Sequence, residues 1–141
     1  MERKAFMCDM ILTELEDVVG VENVSTSKSD RAAYGVDYFW IGRMWGDRGE
    51  KPPMPDWIVR PGSSVEVSKI LKIANYYKIP VNIWGGGSGS QGGALPMAGG
   101  IMMDMKRMNH LIEMDEVSRT ITAEAGMIFQ QLEWYANERG Y

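Results

Sequence analysis

A run of nine residues in the middle of the chain has the composition of a phosphate-binding loop. Six of the residues 85–93 are glycine, and Ser88 and Ser90 lie among them. Glycine suits positions where the backbone has a positive φ or approaches a ligand more closely than a Cβ atom permits. Successive backbone N–H groups in such a loop can form a concave anion site without any charged side chain. The run therefore predicts a site for a diphosphate, to which the two serine hydroxyls could add donors.

Three nucleotide-binding patterns compete for this run, and a plain surface turn is the alternative to all of them. A Walker loop is excluded because no Gly-Lys-Ser/Thr follows the run. Gly87, Gly89 and Gly92 match the Rossmann spacing G-x-G-x-x-G. That motif must open a helix, however, and Pro96 and Gly99 follow too soon for one. The third pattern is a loop between a strand and another extended segment, in which loop amides alone hold a pyrophosphate. A turn without a ligand would lose much backbone entropy with nothing to compensate for it.

The segments on either side of the run predict an α+β domain, with a small β-sheet and flanking helices. Short apolar runs predict strands at residues 57–60, 81–84 and 101–104, so that the glycine run follows the second strand directly. Ser63 and Glu66 have the spacing of a capping box, which predicts that a helix begins between the first two strands.

The two ends of the chain predict further elements. Apolar residues at helical spacing predict a first helix, with Met7, Met10, Ile11, Leu15 and Val18 on its buried face and Gly20 at its end. Residues 21–56 contain scattered glycine and proline and predict a long loop with aromatic anchors. Residues 111–114 and 120–124 predict a β-hairpin, and a last helix follows it.

Composition excludes several classes of function. The net charge of −4 and the pI near 5.0 argue against nucleic acid as a partner, because phosphate binding at an interface requires a basic field. The sequence contains no apolar run of about 20 residues, the length of a transmembrane segment. A single cysteine, Cys8, excludes an internal disulfide, and a single histidine, His110, leaves no set of metal ligands. The sequence Met1-Glu2-Arg3-Lys4 lacks the features of a signal peptide, so we expect a cytoplasmic protein.

From Pro55 to Tyr141 the chain resembles the FAD-linked oxidases whose cofactor domain is named after p-cresol methylhydroxylase and vanillyl-alcohol oxidase. Five segments in the family's order carry the resemblance: residues 55–61 (PDWIVRP), the helix from 65 to 78, the strand and glycine run at 80–93, residues 99–109 (GGIMMDMKRMN), and residues 123–126 (AEAG). Residues 34–37 (YGVD) also resemble a family element. Residues 132–141 are most similar to the branch that contains D-lactate and glycolate dehydrogenases and alkyldihydroxyacetonephosphate synthase.

The resemblance implies FAD as the cofactor and assigns a set of residues to it. The implied cofactor-binding residues are Pro61, Gly85, Gly86, Gly87, Ser88, Gly89, Ser90, Gln91, Gly92, Gly93 and Gly126. Ser88 stands where some members carry a histidine that attaches FAD covalently, so attachment at that position is excluded. No catalytic residue is assigned, because the family's catalytic side chains lie mostly in parts that this chain does not contain.

The resemblance also implies a domain organisation and a function. Residues 1–54 would form an N-terminal helix and loop extension, and residues 55–141 the first subdomain of the FAD-binding domain. The implied function is the FAD-binding portion of an oxidoreductase that oxidises a small 2-hydroxy acid, such as lactate or glycolate, bound by a separate domain. The alternatives are a synthase-like enzyme that uses flavin without net redox turnover, and a non-catalytic module that completes a FAD site with a partner. We expect this chain alone to be inactive and to self-associate through the apolar surface where a second subdomain would dock.

Overall fold

The computed structural model describes residues 2–141, together with the side chains of residues 6–42 and 44–141. Met1, with which the charged N-terminal sequence begins, lies outside them. The helices are α1 (Glu2–Val19), α2 (Lys28–Ala33), α3 (Trp40–Asp47), α4 (Ser64–Tyr77) and α5 (Phe129–Asn137), and the strands are β1 (Val24–Ser25), β2 (Trp57–Val59), β3 (Val81–Trp84), β4 (Ile101–Asp104), β5 (Leu111–Asp115) and β6 (Thr120–Ala123). Short 3₁₀ turns occupy Val21–Asn23 and Met105–Arg107.

A four-stranded sheet determines where the loops of interest lie. Its strand order is β1-β2-β4-β3, in which β4 pairs in parallel with both β2 and β3, and β1 is antiparallel to β2. Ile101 of β4 lies opposite both Trp57 and Val81. Because parallel strands end at the same edge of a sheet, the chain segments that follow β2, β3 and β4 emerge side by side. The glycine loop, residues 85–93, is one of these three segments.

The core lies between this sheet and two helices. Every residue of β2 and β4 is buried, as expected for parallel strands covered on both faces. The main cluster consists of Ile11, Leu15 and Val19 of α1, Ile70 and Ala74 of α4, Trp57 and Val59 of β2, Ile101 and Met103 of β4, with Met105 and Met108. The predicted α+β domain with a small sheet and flanking helices is therefore confirmed.

The first residues of α4 confirm the predicted helix start between β2 and β3. The Ser63 hydroxyl accepts a hydrogen bond from the Glu66 amide at 3.3 Å, and the Glu66 carboxylate accepts one from the Gly62 amide at 2.8 Å. These two bonds satisfy amides that have no partner inside the helix. The helix ends before Lys78, which has a left-handed conformation with φ 57°.

The prediction of a long loop over residues 21–56 is wrong. This segment contains β1, α2 and α3. Ser27 caps α2 by accepting a hydrogen bond from the Asp30 amide at 3.2 Å. In α3, Gly42 is buried, and a Cβ atom there would lie 3.0 Å from the Val36 Cγ1 atom, so this glycine allows close packing of a helix. Scattered glycine alone therefore does not indicate a loop, because Gly42 lies in a helix at a close tertiary contact.

The buried face predicted for α1 is only partly correct. Ile11 and Leu15 are buried as expected, but Met7 and Met10 are 46% and 39% exposed. Val19 completes a stripe that repeats every four residues and packs toward α4. Met10 lies beside that stripe. Met7 lies one turn before Ile11 on the same side of the helix, but its side chain is exposed to solvent.

The C-terminal third forms the predicted hairpin and last helix, and it is loosely covered. Strands β5 and β6 pair antiparallel, with an irregularity between Leu111 and Glu113. No side chain is buried between residues 109 and 141, all of which the structure describes. Among the helices within residues 2–141, none combines the length and the apolar character needed to cross a membrane.

Candidate cofactor-binding site

The glycine loop lies at the carboxyl edge of the parallel strands. It follows β3 directly, and residues 88–91 at its tip are exposed. In open sheets of parallel strands this edge is the usual location of bound ligands. No helix occurs between residues 85 and 100, all of which are described, so the Rossmann match fails on its structural context, as predicted. The loop instead leads through turns into β4.

The hydrogen bonding of the loop leaves its amides available. The Gly87 carbonyl accepts a bond from the Tyr38 amide at 2.9 Å, and the Gly92 carbonyl accepts one from the Leu95 amide at 3.1 Å. Across residues 85–93, all described, no backbone N–H group donates to a backbone carbonyl. A segment that engages carbonyls and leaves amides free has the polarity required of an anion site. A diphosphate therefore fits the donor set of the loop.

Two of the loop glycines are required by the protein, and four others border open space. Gly87 and Gly92 have φ values of +63° and +74°, and a Cβ atom on Gly87 would overlap the Trp84 ring. The glycines without any atom within 4 Å of an added Cβ are Gly85, Gly86, Gly89 and Gly93. Space that folding does not fill is what a closely approaching ligand requires.

A second segment forms the opposite wall of a cleft beside the loop. The cleft has a volume of about 520 Å³ and is lined by Gly85, Gly86, Ser88, Ala125, Gly126, Met127, Ile128 and Phe129. Gly126 anchors this second segment to the turn after β4, because its amide donates a hydrogen bond to the Met108 carbonyl at 2.8 Å. A Cβ atom on Gly126 would overlap the Met105 carbonyl oxygen. Gly126 therefore has a structural reason to be glycine, independent of any ligand.

The structure brings together some of the residues that the sequence assigned to the cofactor. Gly85, Gly86, Ser88 and Gly126 line the cleft. The remaining loop members, Gly87, Gly89, Ser90, Gln91, Gly92 and Gly93, belong to the same loop without lining the cleft. Pro61 is fully buried just after β2, at the same edge of the sheet. The assignment of each of these residues to FAD stays a prediction.

Sequence reasoning missed the apolar part of the cleft. Met127, Ile128 and Phe129 were not assigned to the site, yet they line it. Ile128 precedes α5 as its N-cap, and Ile128 and Phe129 are 65% and 80% exposed. The available signal was a run of apolar residues directly after Gly126, at the point where a strand turns into a helix.

A charged cluster surrounds the buried carboxylate of Asp104 at the end of β4. Asp104 is 1% exposed, and its Oδ2 atom accepts hydrogen bonds from the Tyr34 hydroxyl at 2.5 Å and the Lys106 ammonium at 3.0 Å. Arg60 Nε lies 3.7 Å from the same oxygen. The hydrogen bond to Asp104 raises the pKa of Lys106. Burial raises the pKa of Tyr34, and its bond to Asp104 raises that pKa further. The buried carboxylate thus has two cations and a hydroxyl as partners.

His110 has a structural partner in Glu124. Its exposed ring places Nδ1 2.7 Å from a Glu124 carboxylate oxygen, and its amide donates to the same oxygen at 2.9 Å. These bonds, the amide bond first, lower the pKa of Glu124. The pair joins the residues that precede β5 to those that follow β6.

Comparison with known proteins identifies the family to which the chain belongs. A family model described as an FAD binding domain matches residues 55–141. The glycolate oxidase subunit GlcD of Bacillus subtilis is 31% identical over 115 residues, which are 82% of this chain and 23% of that protein. A D-lactate dehydrogenase of Archaeoglobus fulgidus is 42% identical over 83 residues, which are 59% of this chain and 18% of that protein. The chain thus spans about a quarter or less of these curated relatives.

Solved structures show the same fold. Alkyldihydroxyacetonephosphate synthase superimposes with a TM-score of 0.82 at 24% identity, over 94% of this chain and 25% of that one. p-Cresol methylhydroxylase with bound substrate gives a TM-score of 0.76 at 22% identity, over 93% of this chain and 24% of that one. The resemblance inferred from the sequence is therefore confirmed. The chain belongs to the FAD binding domain family, has the fold of p-cresol methylhydroxylase-type domains, and has FAD as its cofactor.

Proposed function

We propose that this chain holds the pyrophosphate of FAD with the amides of the glycine loop, as the first FAD-binding subdomain of a flavin-dependent oxidoreductase. In this proposal residues 55–141 form the subdomain and residues 1–54 an extension attached to it. One observation carries the proposal: the loop emerges at the carboxyl edge of the parallel strands with its amides free and four of its glycines bordering open space.

The two walls of the cleft would bind different parts of the cofactor. The loop amides would neutralise the diphosphate, and Ser88 could add a hydroxyl donor at the cleft. Met127, Ile128 and Phe129 present apolar surface on the opposite wall, which would exclude water from a ring system placed between the two walls. When bound, the flavin supplies the redox chemistry, and the protein supplies placement and electrostatics.

For the whole protein we propose the two-electron oxidation of a small 2-hydroxy acid, with the hydride passing to FAD. The support lies in the names of the relatives, which include a glycolate oxidase subunit, D-lactate dehydrogenases and D-2-hydroxyglutarate dehydrogenases. The substrate would bind to a domain outside this chain. A synthase-like reaction without net redox turnover is the second candidate, favoured by the superposition on alkyldihydroxyacetonephosphate synthase with a TM-score of 0.82.

Two further features belong to the same proposal. A partner domain or second chain would complete the FAD site over the C-terminal third, where no side chain is buried between residues 109 and 141. Without that cover we expect self-association. We also propose a cytoplasmic location, because one cysteine in 141 residues suits a reducing compartment. Several relatives carry "mitochondrial" in their names, and cell fractionation would distinguish the two locations.

The test compares three nucleotides that differ in the diphosphate. FAD and ADP both contain a diphosphate, whereas FMN contains the flavin and a single phosphate. Isothermal titration of the purified chain should show binding of FAD and ADP and at least about tenfold weaker binding of FMN, a difference of about 1.4 kcal/mol. Equal binding of FMN would contradict the assignment of the loop to the pyrophosphate.

A matched pair of variants makes this test specific to the loop. Gly86→Val fills open space in the cleft and should abolish most of the ADP affinity while the chain stays folded. Gly46→Val fills open space on α3, away from the lining of the cleft, and should bind ADP like the unaltered chain. Equal losses in both variants would indicate a general effect on folding.

A further inference from the structure

A short segment outside the matched family domain contacts the back of the glycine loop. Residues 34–39 lie between α2 and α3, before residue 55, where the family match begins. Three independent contacts join this segment to the loop or to the residue that precedes it. They involve the side chain of Tyr34, the backbone of Tyr38 and the ring of Phe39.

The first two contacts converge on Gly87. The Tyr34 ring meets the Trp84 ring edge to face, with centroids 5.0 Å apart and planes at 68°. The Trp84 ring in turn lies directly against Gly87, because a Cβ atom there would overlap it. The Tyr38 amide donates to the Gly87 carbonyl at 2.9 Å. The segment therefore fixes Gly87 both through the edge-to-face ring contact with Trp84 and through the Gly87 carbonyl.

The third contact is with Gly92, at the other end of the loop. The Phe39 ring lies so close to Gly92 that an added Cβ atom would be 2.8 Å from Cδ1. Within the loop, Gly87 and Gly92 are the two glycines with a positive φ, +63° and +74°. The segment thus contacts both loop glycines that have a positive φ, and it leaves the four open glycines free.

The segment is itself anchored to the core and to its own helix. The Tyr34 hydroxyl donates to buried Asp104 at 2.5 Å. Gly35 packs directly against the Pro53 carbonyl oxygen, with no room for a Cβ atom. Asp37 is 8% exposed and accepts a hydrogen bond from the Phe39 amide at 2.9 Å, which fixes the turn that leads into α3. These anchors do not involve the glycine loop.

We propose that residues 34–39 are a positioning element of the cofactor site, which holds the glycine loop in the conformation that presents its amides to a diphosphate. This inference rests on the proposed function of the loop. A loop with six glycines has many accessible conformations, and a ligand that had to order it would bind more weakly. A segment that fixes both glycines with a positive φ lowers that cost before the ligand arrives. Tyr34 and Phe39 are positioning residues and are not expected to touch the cofactor.

The experiment measures the loop and the ligand separately, in the 141-residue chain. Phe39→Ala removes the ring at Gly92, and Tyr34→Leu removes both the hydroxyl and the ring that meets Trp84. In the free protein, NMR should show shifted amide resonances and faster backbone motion at Gly87 and Gly92 in these variants. Their ADP affinity should fall by about three- to tenfold. Tyr34→Phe keeps the ring contact and should recover most of the affinity lost in Tyr34→Leu.

Tyr77→Phe is the matched control. It removes a tyrosine–carboxylate hydrogen bond of similar length, 2.6 Å to Glu14, which joins α4 to α1 away from the loop. The control should leave the resonances of Gly87 and Gly92 and the ADP affinity unchanged, even if its melting temperature falls. A loss of ADP affinity in Tyr77→Phe equal to that in Phe39→Ala would overturn the positioning role.

The outcomes separate this inference from the proposed function. If the unaltered chain binds neither ADP nor FAD, the proposed function fails, and with it the role in cofactor binding. If it binds ADP but folded Phe39→Ala and Tyr34→Leu bind equally well with unchanged loop resonances, only the inference fails. Circular dichroism establishes that each variant is folded. Should Tyr34→Leu unfold because Asp104 loses the hydroxyl among its three partners, Phe39→Ala decides alone, since Asp104 keeps all of them in that variant.

Discussion

The glycines of this chain show that one residue type serves two purposes at the same site. Gly87 and Gly126 have protein atoms where a Cβ atom would lie, so folding alone requires them. Gly86 and Gly89 have nothing within 4 Å, so folding leaves their side-chain space open. The first kind shapes the loop and the wall of the cleft. The second kind gives a ligand access to the backbone.

Gly126→Ala tests the structural requirement at the scale of a single residue. The added Cβ atom would overlap the Met105 carbonyl oxygen, and the chain must move to relieve the overlap. We expect a loss of about 1–3 kcal/mol in the free energy of unfolding, measured with urea. Gly93→Ala, which adds a Cβ atom in open space, should change that free energy by less than about 0.5 kcal/mol. Equal stability of the two variants would show that the wall at Gly126 adjusts freely.

At the scale of elements, polar bonds at strand ends hold the C-terminal hairpin in place. The hairpin has no buried side chain from residue 109 onward, so little apolar packing fixes it. The His110–Glu124 pair links the residue before β5 to the residue after β6, at the end of the hairpin opposite its turn. The Gly126 amide bonds to Met108 and so joins the end of the hairpin to the turn after β4. Since the far wall of the cleft follows directly on this hairpin, its position affects the shape of the candidate site.

The lowered pKa of Glu124 predicts a pH dependence for this element. Folding favours the ionised carboxylate, so its stabilisation is present above the ordinary value near 4.5 and is lost as the pH falls through the folded pKa. Glu124→Gln should therefore flatten the dependence of unfolding free energy on pH below about 4.5. Glu113→Gln, an exposed change on the same hairpin, controls for the loss of one charge. An unaltered slope in Glu124→Gln would mean that the pair contributes nothing to folding.

At the scale of the whole molecule, many apolar side chains remain exposed, and several of them belong to the C-terminal third. Phe129 and Trp134 of α5 are 80% and 58% exposed, and Ile112 of the hairpin is 63% exposed. Where such side chains form a contiguous patch, the patch commonly marks an interaction site. The chain spans about a quarter of its relatives. In the proposed function, a second subdomain or another chain would cover the C-terminal third.

Sedimentation velocity checks whether this surface drives self-association. The 141-residue chain should form larger species as its concentration rises, because burial of apolar surface favours association. Trp134→Ser should reduce that association without unfolding the chain, since the side chain is already 58% exposed. Val65→Ser, a change at a 65% exposed position on α4, should leave it unchanged. A monomer at all concentrations would contradict the proposed self-association.

Local patterns in the sequence were sufficient for three strands of the sheet, the cap of α4, the hairpin and the glycine loop, but not for the parallel pairing of those strands. Each of these depends on residues that are neighbours in the chain: alternation, capping spacing, or glycine after a strand. The same patterns, with the family resemblance, indicated FAD and the p-cresol methylhydroxylase-type fold. They failed at residues 21–56, where Gly42 permits a helix to pack closely and does not mark a loop.

Only the tertiary structure decided which distant residues share the site. Phe39 contacts the glycine loop and Tyr34 contacts the residue before it, each across about fifty residues of chain. Met127, Ile128 and Phe129 line the same cleft from the far side of the hairpin. It also separated the glycines that the fold requires from those that border open space. The physical reason is that local patterns report the conformation of a segment. What fills the space beside a residue depends on how all segments pack, which no single segment encodes.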